Sequence, residues 1–420
     1  MKQESPIIMD GGIPENKSSS ESDDDFDMQQ SSSDSDSTTY SDGELNADRN
    51  YETECVKETE ENENEEEEED PVIQAIKRNH VLKTNHPKDI VVEDLISEIC
   101  FHPNENYIAL ASISGDVLIY DYTSTNEEQT PLFTLEAHEK SCRDIDFSSD
   151  GKKIFSCGKD KAIFIHDFET QKLTGMFENA HKRPIYTLCI INQNNFATGD
   201  ENGTVNLWDL RQRNLEPVFS LKECDDYING MLANDEEKFL VCTSGDGTLT
   251  TFDMRAKKMH CKTEDYPEEF TCLGLFKRGR KIVTCGNKGN MYLFNWGEFG
   301  LHTDKILCKN NLSINCMIPI TETIGIYGCE DGYIRAQSIF PDKPLGVVGL
   351  HEVSVENLDV NNDGSIIASS SGEGPIKFWN VSYLEEINVS ERVKGGRKSG
   401  MNRNLPSSKI DHAANFFADL

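Results

Sequence analysis

The sequence predicts an all-β protein in which one short-strand unit recurs seven times between about residues 90 and 390. Three observations carry that prediction. Seven segments line up along the body: GDVLIYD from Gly115, KAIFIHD from Lys161, GTVNLWD from Gly203, GTLTTFD from Gly247, GNMYLFN from Gly289, GYIRAQS from Gly332 and GPIKFWN from Gly374. Their last residues, Asp121, Asp167, Asp209, Asp253, Asn295, Ser338 and Asn380, are spaced by 46, 42, 44, 42, 43 and 42 residues. Within each segment the apolar residues alternate, the period of a strand with one buried face.

Each position of the segment has its reason. Six of the seven begin with glycine, which adopts positive φ cheaply in a tight hairpin turn. The third position is always apolar, from Val117 to Ile376, and the fifth is apolar in all but Thr251. The sixth is mostly aromatic (Tyr120, Trp208, Phe252, Phe294, Trp379), with His166 and Gln337 departing. A second short apolar strand precedes each segment, such as YIALAS, KIFSCG or FLVCTS, and a third lies earlier, such as CRDIDF or IYTLCI. Polar turns such as Ser148–Gly151 and Asn361–Gly364 separate those two.

The flanks differ from the body. The chain of 420 residues has a net charge of −34. Residues 1–70 hold 25 acids and 4 bases, so they carry −21 of it. Runs such as SSSESDDDFD and ENENEEEEED lack the apolar side chains needed to offset ordering entropy, so this arm is expected to be disordered, with a linker over 71–89. Ser20, Ser22, Ser33, Ser35 and Ser41 lie close before acids, a context for an acid-directed kinase of the casein kinase 2 type. The arm reads either as a solubilising tail or as a competitor for basic surfaces such as histones or ribosomal proteins.

Composition also excludes classes of function. The acidic balance argues against broad wrapping of nucleic acid, though local basic patches remain open. No apolar run approaches the roughly 18 residues of a membrane span, and the start shows no secretory signal. The 13 cysteines contain no C-x-x-C pair and mostly fall in apolar runs, so neither a disulfide framework nor a zinc cage is expected. There is no P-loop, nucleophile elbow, H-E-x-x-H or dinucleotide fingerprint, and nothing asks for a cofactor. Asp200 and Glu201 fall in a hairpin turn, where solvated carboxylates are expected.

A unit of about 40–45 residues with a histidine near its start and Trp-Asp at its end resembles the WD-repeat family. Here the histidine element is Ala137-His138, Ala180-His181 and Leu350-His351, and Trp-Asp is complete at Trp208-Asp209. The resemblance implies four strands per unit and a seven-bladed β-propeller. It also implies a hydrogen-bonded brace inside a blade. Repeat 2 offers His138, Ser156 and Asp160, with His166 in place of Trp; repeat 3 offers His181, Thr198, Trp208 and Asp209, with Asn202 where Asp is usual. All of these read as structural. Ring closure needs one chain end in the last blade: Ile90–Val92 or Tyr383–Val389, the first being favoured.

What remains is binding. Lys159, Lys161, Lys182 and Arg183 belong to turns on one face of repeats 2 and 3, a local positive patch or simply a solvated rim. The basic turn 277–281, KRGRK, falls on the other face. Asp209-Leu210-Arg211 and Asp253-Met254-Arg255 resemble the box by which WD-repeat receptors dock onto the adaptor of cullin–RING ubiquitin ligases; the alternative is an arginine paired with its own aspartate. Residues 392–409 hold six bases and no acid, suited to weak RNA contact or an import receptor, and Phe416, Phe417 and Leu420 form an apolar cluster that reads either as a short anchor for a partner's groove or as a segment folded back onto the body. Arm, degenerate repeats, basic stretch and closing FFADL together resemble a nucleolar branch of the family. That resemblance implies a monomeric, non-enzymatic scaffold with pre-ribosomal protein partners, active in ribosomal RNA production and ribosome assembly. It places the chain in the nucleus and nucleolus, with the cytoplasm left open.

Overall fold

The computed structural model describes residues 85–387, apart from 125–129, 213–215, 309–310, 373 and 386. The acidic arm with its five serines, residues 71–84, and the tail with Phe416, Phe417 and Leu420 lie outside the described residues.

The described residues form seven antiparallel sheets in chain order, six of four strands and one of three. The first strand of each sheet touches the first strand of the next, and that of sheet seven touches that of sheet one. The sheets are therefore the blades of a closed seven-bladed β-propeller, with the first strands innermost. The repeated segment is the third strand of each blade: Asp116–Asp121 in blade 1, Ile163–Asp167 in blade 2, Thr204–Asp209 in blade 3 and so on to Lys377–Asn380 in blade 7. Its alternation has the expected result, since Val117, Ile163, Val205, Leu249, Met291, Ile334 and Ile376 are all buried. Repeat 6, the least faithful by motif, forms a full four-stranded blade whose outer strand, Asp342–Leu350, runs nine residues.

The turn glycines adopt the left-handed conformation, at φ +76° for Gly203 and +78° for Gly247. At both, a Cβ would run into backbone carbonyls of the loop entering the next blade, Cys224 for Gly203 and Tyr266 for Gly247. Lys161 replaces glycine in blade 2 yet keeps the same backbone, at φ 69°. The hairpin geometry is thus imposed by the blade, and lysine bears the strain there.

Seven apolar clusters make the core, one in each wedge between neighbouring blades. Phe101 and Tyr122 of blade 1 pack edge-on at 5.1 Å and both meet Phe378 of blade 7. Each such buried side chain contributes about 1.5–3 kcal/mol. No blade can bury its faces without both neighbours, so the closed ring is the stable unit.

Closure comes from the N-terminal side. Ile90, fully buried, exchanges two backbone hydrogen bonds with Ile376, at 3.0 and 2.9 Å, and so supplies the missing edge of blade 7. Asn380 Nδ2 donates to the carbonyl of Asn85 and the His86 ring lies 6.5 Å from Trp379. Residues 85–89, expected as linker, therefore belong to the ring. Of the competing segment, Tyr383 and Leu384 lie instead in a short 3-10 helix, Ser382–Leu384.

Candidate binding faces of the ring

The histidines near the blade entries are consumed by internal bonds. In blade 3 the Trp208 indole N–H donates to Thr198 Oγ1 at 2.8 Å, and Thr198 Oγ1 lies 2.7 Å from His181 Nε2. The ionised Asp200 carboxylate only accepts, so neutral His181 carries its proton on Nδ1, 3.3 Å from Asp200 Oδ2, and its bare Nε2 accepts from the Thr198 hydroxyl. Blade 2 carries a shorter version: His138 Nε2 is 3.0 Å from Ser156 Oγ, and Nδ1 is 3.0 Å from each oxygen of Asp160. His166 stands beside it but does not complete the chain; burial, then His138, pushes its pKa down. Blade 7 repeats the tryptophan form, with His351 Nε2 at 2.7 Å and Trp379 Nε1 at 2.8 Å from Ser369 Oγ.

Two sequence expectations are corrected here. Asp200 is 1% exposed, not solvated, and it takes the part for which Asn202 is the wrong residue. It does so because the turn folds its carboxylate back over the N–H groups of Asn202 and Thr204, at 2.9 and 2.8 Å. Burial alone works to raise its pKa; His181 and those N–H groups outweigh it and hold the carboxyl below the usual range. Asp209 takes no part in the brace. Its carboxylate sits at the opposite end of the blade and accepts from Arg211 instead.

Sequence reasoning missed the wall of the central channel. Every inner strand has a register shift at its second residue, which turns that side chain along the ring. Ser97 Oγ donates to the Cys142 carbonyl at 2.5 Å, Asn315 Nδ2 to that of Val355 at 3.0 Å, and Asn229 and Thr271 likewise to Phe270 and Ile314. Each bond ties one blade to the next. Deeper in, Asp144 Oδ2 accepts the Leu188 N–H at 2.5 Å. Burial lifts the pKa of Asp144 to about 7 and that of Asp359 to about 6, against backbone N–H bonds that lower both. Asp146 is pushed to about 7 by burial, then by Asp144 and Asp359. Glu98 is raised too, by burial and then Asp144. The legible signal was a polar or tyrosine residue at position two of every inner strand, joined in CRDIDF by carboxylates at positions three and five. Glu268 was missed as well: it is buried at the entry of blade 5, where it accepts from Asn290 and Tyr292 at 2.7 and 2.5 Å.

The cations lie on the two faces. Lys159 and Lys161 are in the loop joining the second and third strands of blade 2, and Lys182 and Arg183 are in the loop entering blade 3. Backbone bonds hold these loops together: Lys159 N–H to the Ser141 carbonyl and Ala180 N–H to that of Lys161, both 2.9 Å. On the other face, Arg211 is clamped by its own Asp209, through Nε at 2.8 Å and Nη2 at 2.7 Å, although its side chain is 66% exposed. Arg255 donates its backbone N–H to Asp253 Oδ1, at 3.0 Å, and among the described residues its guanidinium has no such clamp. In the 277–281 turn, Arg278 pairs with Glu322 at 2.5 Å and Lys277 lies 3.9 Å above the Phe340 ring. Among the described residues, no group of three or more His, Cys, Asp or Glu is placed to hold a metal ion.

Comparison with known proteins agrees with this architecture. Residues 87–384 match the WDR55 family. The chain is 43% identical over 351 residues to the WD repeat-containing protein 55 homolog of Aedes aegypti, covering 84% of this chain and 74% of that protein. It is 45% and 44% identical to the homologs of Drosophila erecta and Drosophila melanogaster, covering 83% of this chain and 68% of each relative.

Proposed function

Because the chain belongs to the WDR55 family of WD-repeat proteins, we propose that it is a non-enzymatic docking platform of the nucleolus, serving ribosomal RNA production and ribosome assembly. The observation that carries the scaffold reading is the use of the ring's polar groups. His138, His181 and His351 are each bonded to a hydroxyl inside their own blade, and the channel asparagines and serine tie blade to blade. What stays available is surface, on two broad loop faces. The ribosomal half of the reading is supported by the resemblance of arm, ring and basic tail to a nucleolar branch of the family. Gradient sedimentation of cell lysate tests it. The expected result is co-migration with large pre-ribosomal particles at low salt and release at high salt; confinement to light fractions at low salt contradicts it.

A second reading is favoured by one observation. Arg211 and Arg255 occupy the same turn of adjacent blades 3 and 4, on one face, and Arg211 is held rigidly outward by Asp209. Two presented guanidinium groups suit the adaptor of a cullin–RING ubiquitin ligase. Replacing both by alanine is expected to abolish capture of that adaptor, and unchanged capture removes this reading.

A further inference from the structure

The loops of blades 2 and 3 lead from a cationic ridge to an aromatic step at the mouth of the channel. Lys140, Lys159, Lys182 and Arg183 are exposed and Lys161 is half-buried; Glu139 and Glu178 are the acids in the same loops that stay outside the brace. Next to the ridge, Tyr186 is 37% exposed, its ring centroid 5.0 Å from that of Tyr227. The Arg143 guanidinium lies 5.0 Å over Tyr186 and pairs with Glu201 at 2.9 Å. These tyrosines border a cavity of about 680 Å³ whose other walls carry Glu98, Glu356 and Asn357.

We propose that this face binds a short single-stranded RNA segment, with phosphates on the ridge and a base stacked on Tyr186 at the channel mouth. The proposal rests on the ribosomal reading above and names its partner class. Charge segregation is the argument. The ridge wants anions, whereas the mouth presents the exposed carboxylate of Glu356, its one cation, Arg143, being already paired with Glu201, and repels them. An acidic or phosphorylated peptide meets that repulsion at the mouth. A nucleotide does not, because its phosphate stays outside while its base is neutral, presents a π-face to the tyrosine and offers exocyclic N–H donors to carboxylate acceptors. The small size of the patch agrees with a chain too acidic to wrap nucleic acid broadly.

The test uses the full purified chain and fluorescein-labelled ten-nucleotide oligocytidine and oligouridine, read by anisotropy across a salt series. Expected is tighter binding of oligocytidine, whose N4 amino group donates to the Glu356 carboxylate. Lys182→Glu with Arg183→Glu is expected to weaken binding about ten-fold or more and to flatten the salt slope by roughly 1–1.5, the share of two phosphate contacts on a single strand. Tyr186→Leu is expected to cost about ten-fold, while Tyr186→Phe, which keeps the stacking face, retains binding. Thermal melts that match the parent exclude misfolding of the variants. Absence of binding overturns the proposal. So does binding that is indifferent to base and to Tyr186→Leu, or binding untouched by the ridge variant, which assigns RNA to the basic tail. If the ridge variant binds RNA normally but still co-sediments with pre-ribosomal particles, this inference falls and the scaffold reading stands.

Discussion

The carboxylate of Asp359, in the last blade, accepts the backbone N–H of Phe101, in the first, at 2.6 Å across 258 positions of sequence. Together with the Ile90–Ile376 bridge outside it, this bond latches the ring at its inner and outer radius. Without such a latch a propeller would leave an open, solvated wedge between its first and last blades.

The outer latch predicts a sharp contrast between neighbours. Ile90→Ala is expected to destabilise the ring by about 2–4 kcal/mol, because a fully buried side chain leaves a cavity between blades 7 and 1. Val91, 74% exposed, is expected to tolerate alanine within about 0.5 kcal/mol. Urea unfolding of both variants checks the difference.

The braces predict an order of costs. Thr198→Val strands the buried Trp208 N–H and leaves His181 Nε2 without a donor, at a cost of about 2–4 kcal/mol. Ser156→Ala removes only the partner of His138, since no tryptophan depends on it, and is expected to cost about 1–2 kcal/mol. Equal losses in thermal melts would show that the indole bond contributes nothing.

The channel predicts a pH dependence. Asp146 sits at about 7 in the folded chain against an ordinary 3.8, so its stability contribution is whole below the ordinary value and is lost as pH rises through 7. Asp146→Asn cannot ionise. It is expected to be more stable than the parent at pH 8 by about 1–3 kcal/mol, with the advantage vanishing by pH 4–5. His351 acts in the opposite sense: burial, then Lys377, lowers it to about 4 from 6.5, so its contribution is lost as pH falls through that interval. Melting temperatures from pH 4 to 8 read both.

Lys161 predicts a stabilising change. The matching turn position is glycine in six blades, and lysine holds φ 69° there at a steric cost. Lys161→Gly is expected to gain up to about 1 kcal/mol, the released strain less the extra entropy glycine loses on folding. A lower denaturation midpoint for the variant contradicts this.

Much of the fold was legible because a propeller is local. Each blade is a meander of consecutive strands, so the period of two inside a strand and the recurrence of the turn glycine, as at Gly203 and Gly247, define strands and blade count without any long-range contact. The loop faces were legible in part. Lys159 and Lys182 could be placed on one face by counting turns, whereas Tyr186 looked like an ordinary strand residue until the register shift turned it into the mouth of the channel.

By itself, then, the amino-acid sequence determined the strand pattern, the seven repeats and the family. Three things waited on the tertiary structure: that Ile90 rather than Tyr383 closes the last blade, that Asp200 is a buried partner of His181, and that Asp144 and Asp359, far apart in sequence, come within electrostatic reach of Asp146. The physical reason is the same for each. These are relations between residues that a hairpin turn, a bulge or the closing of a ring brings together, and a one-dimensional pattern records spacing along the chain, not which side chains meet across it.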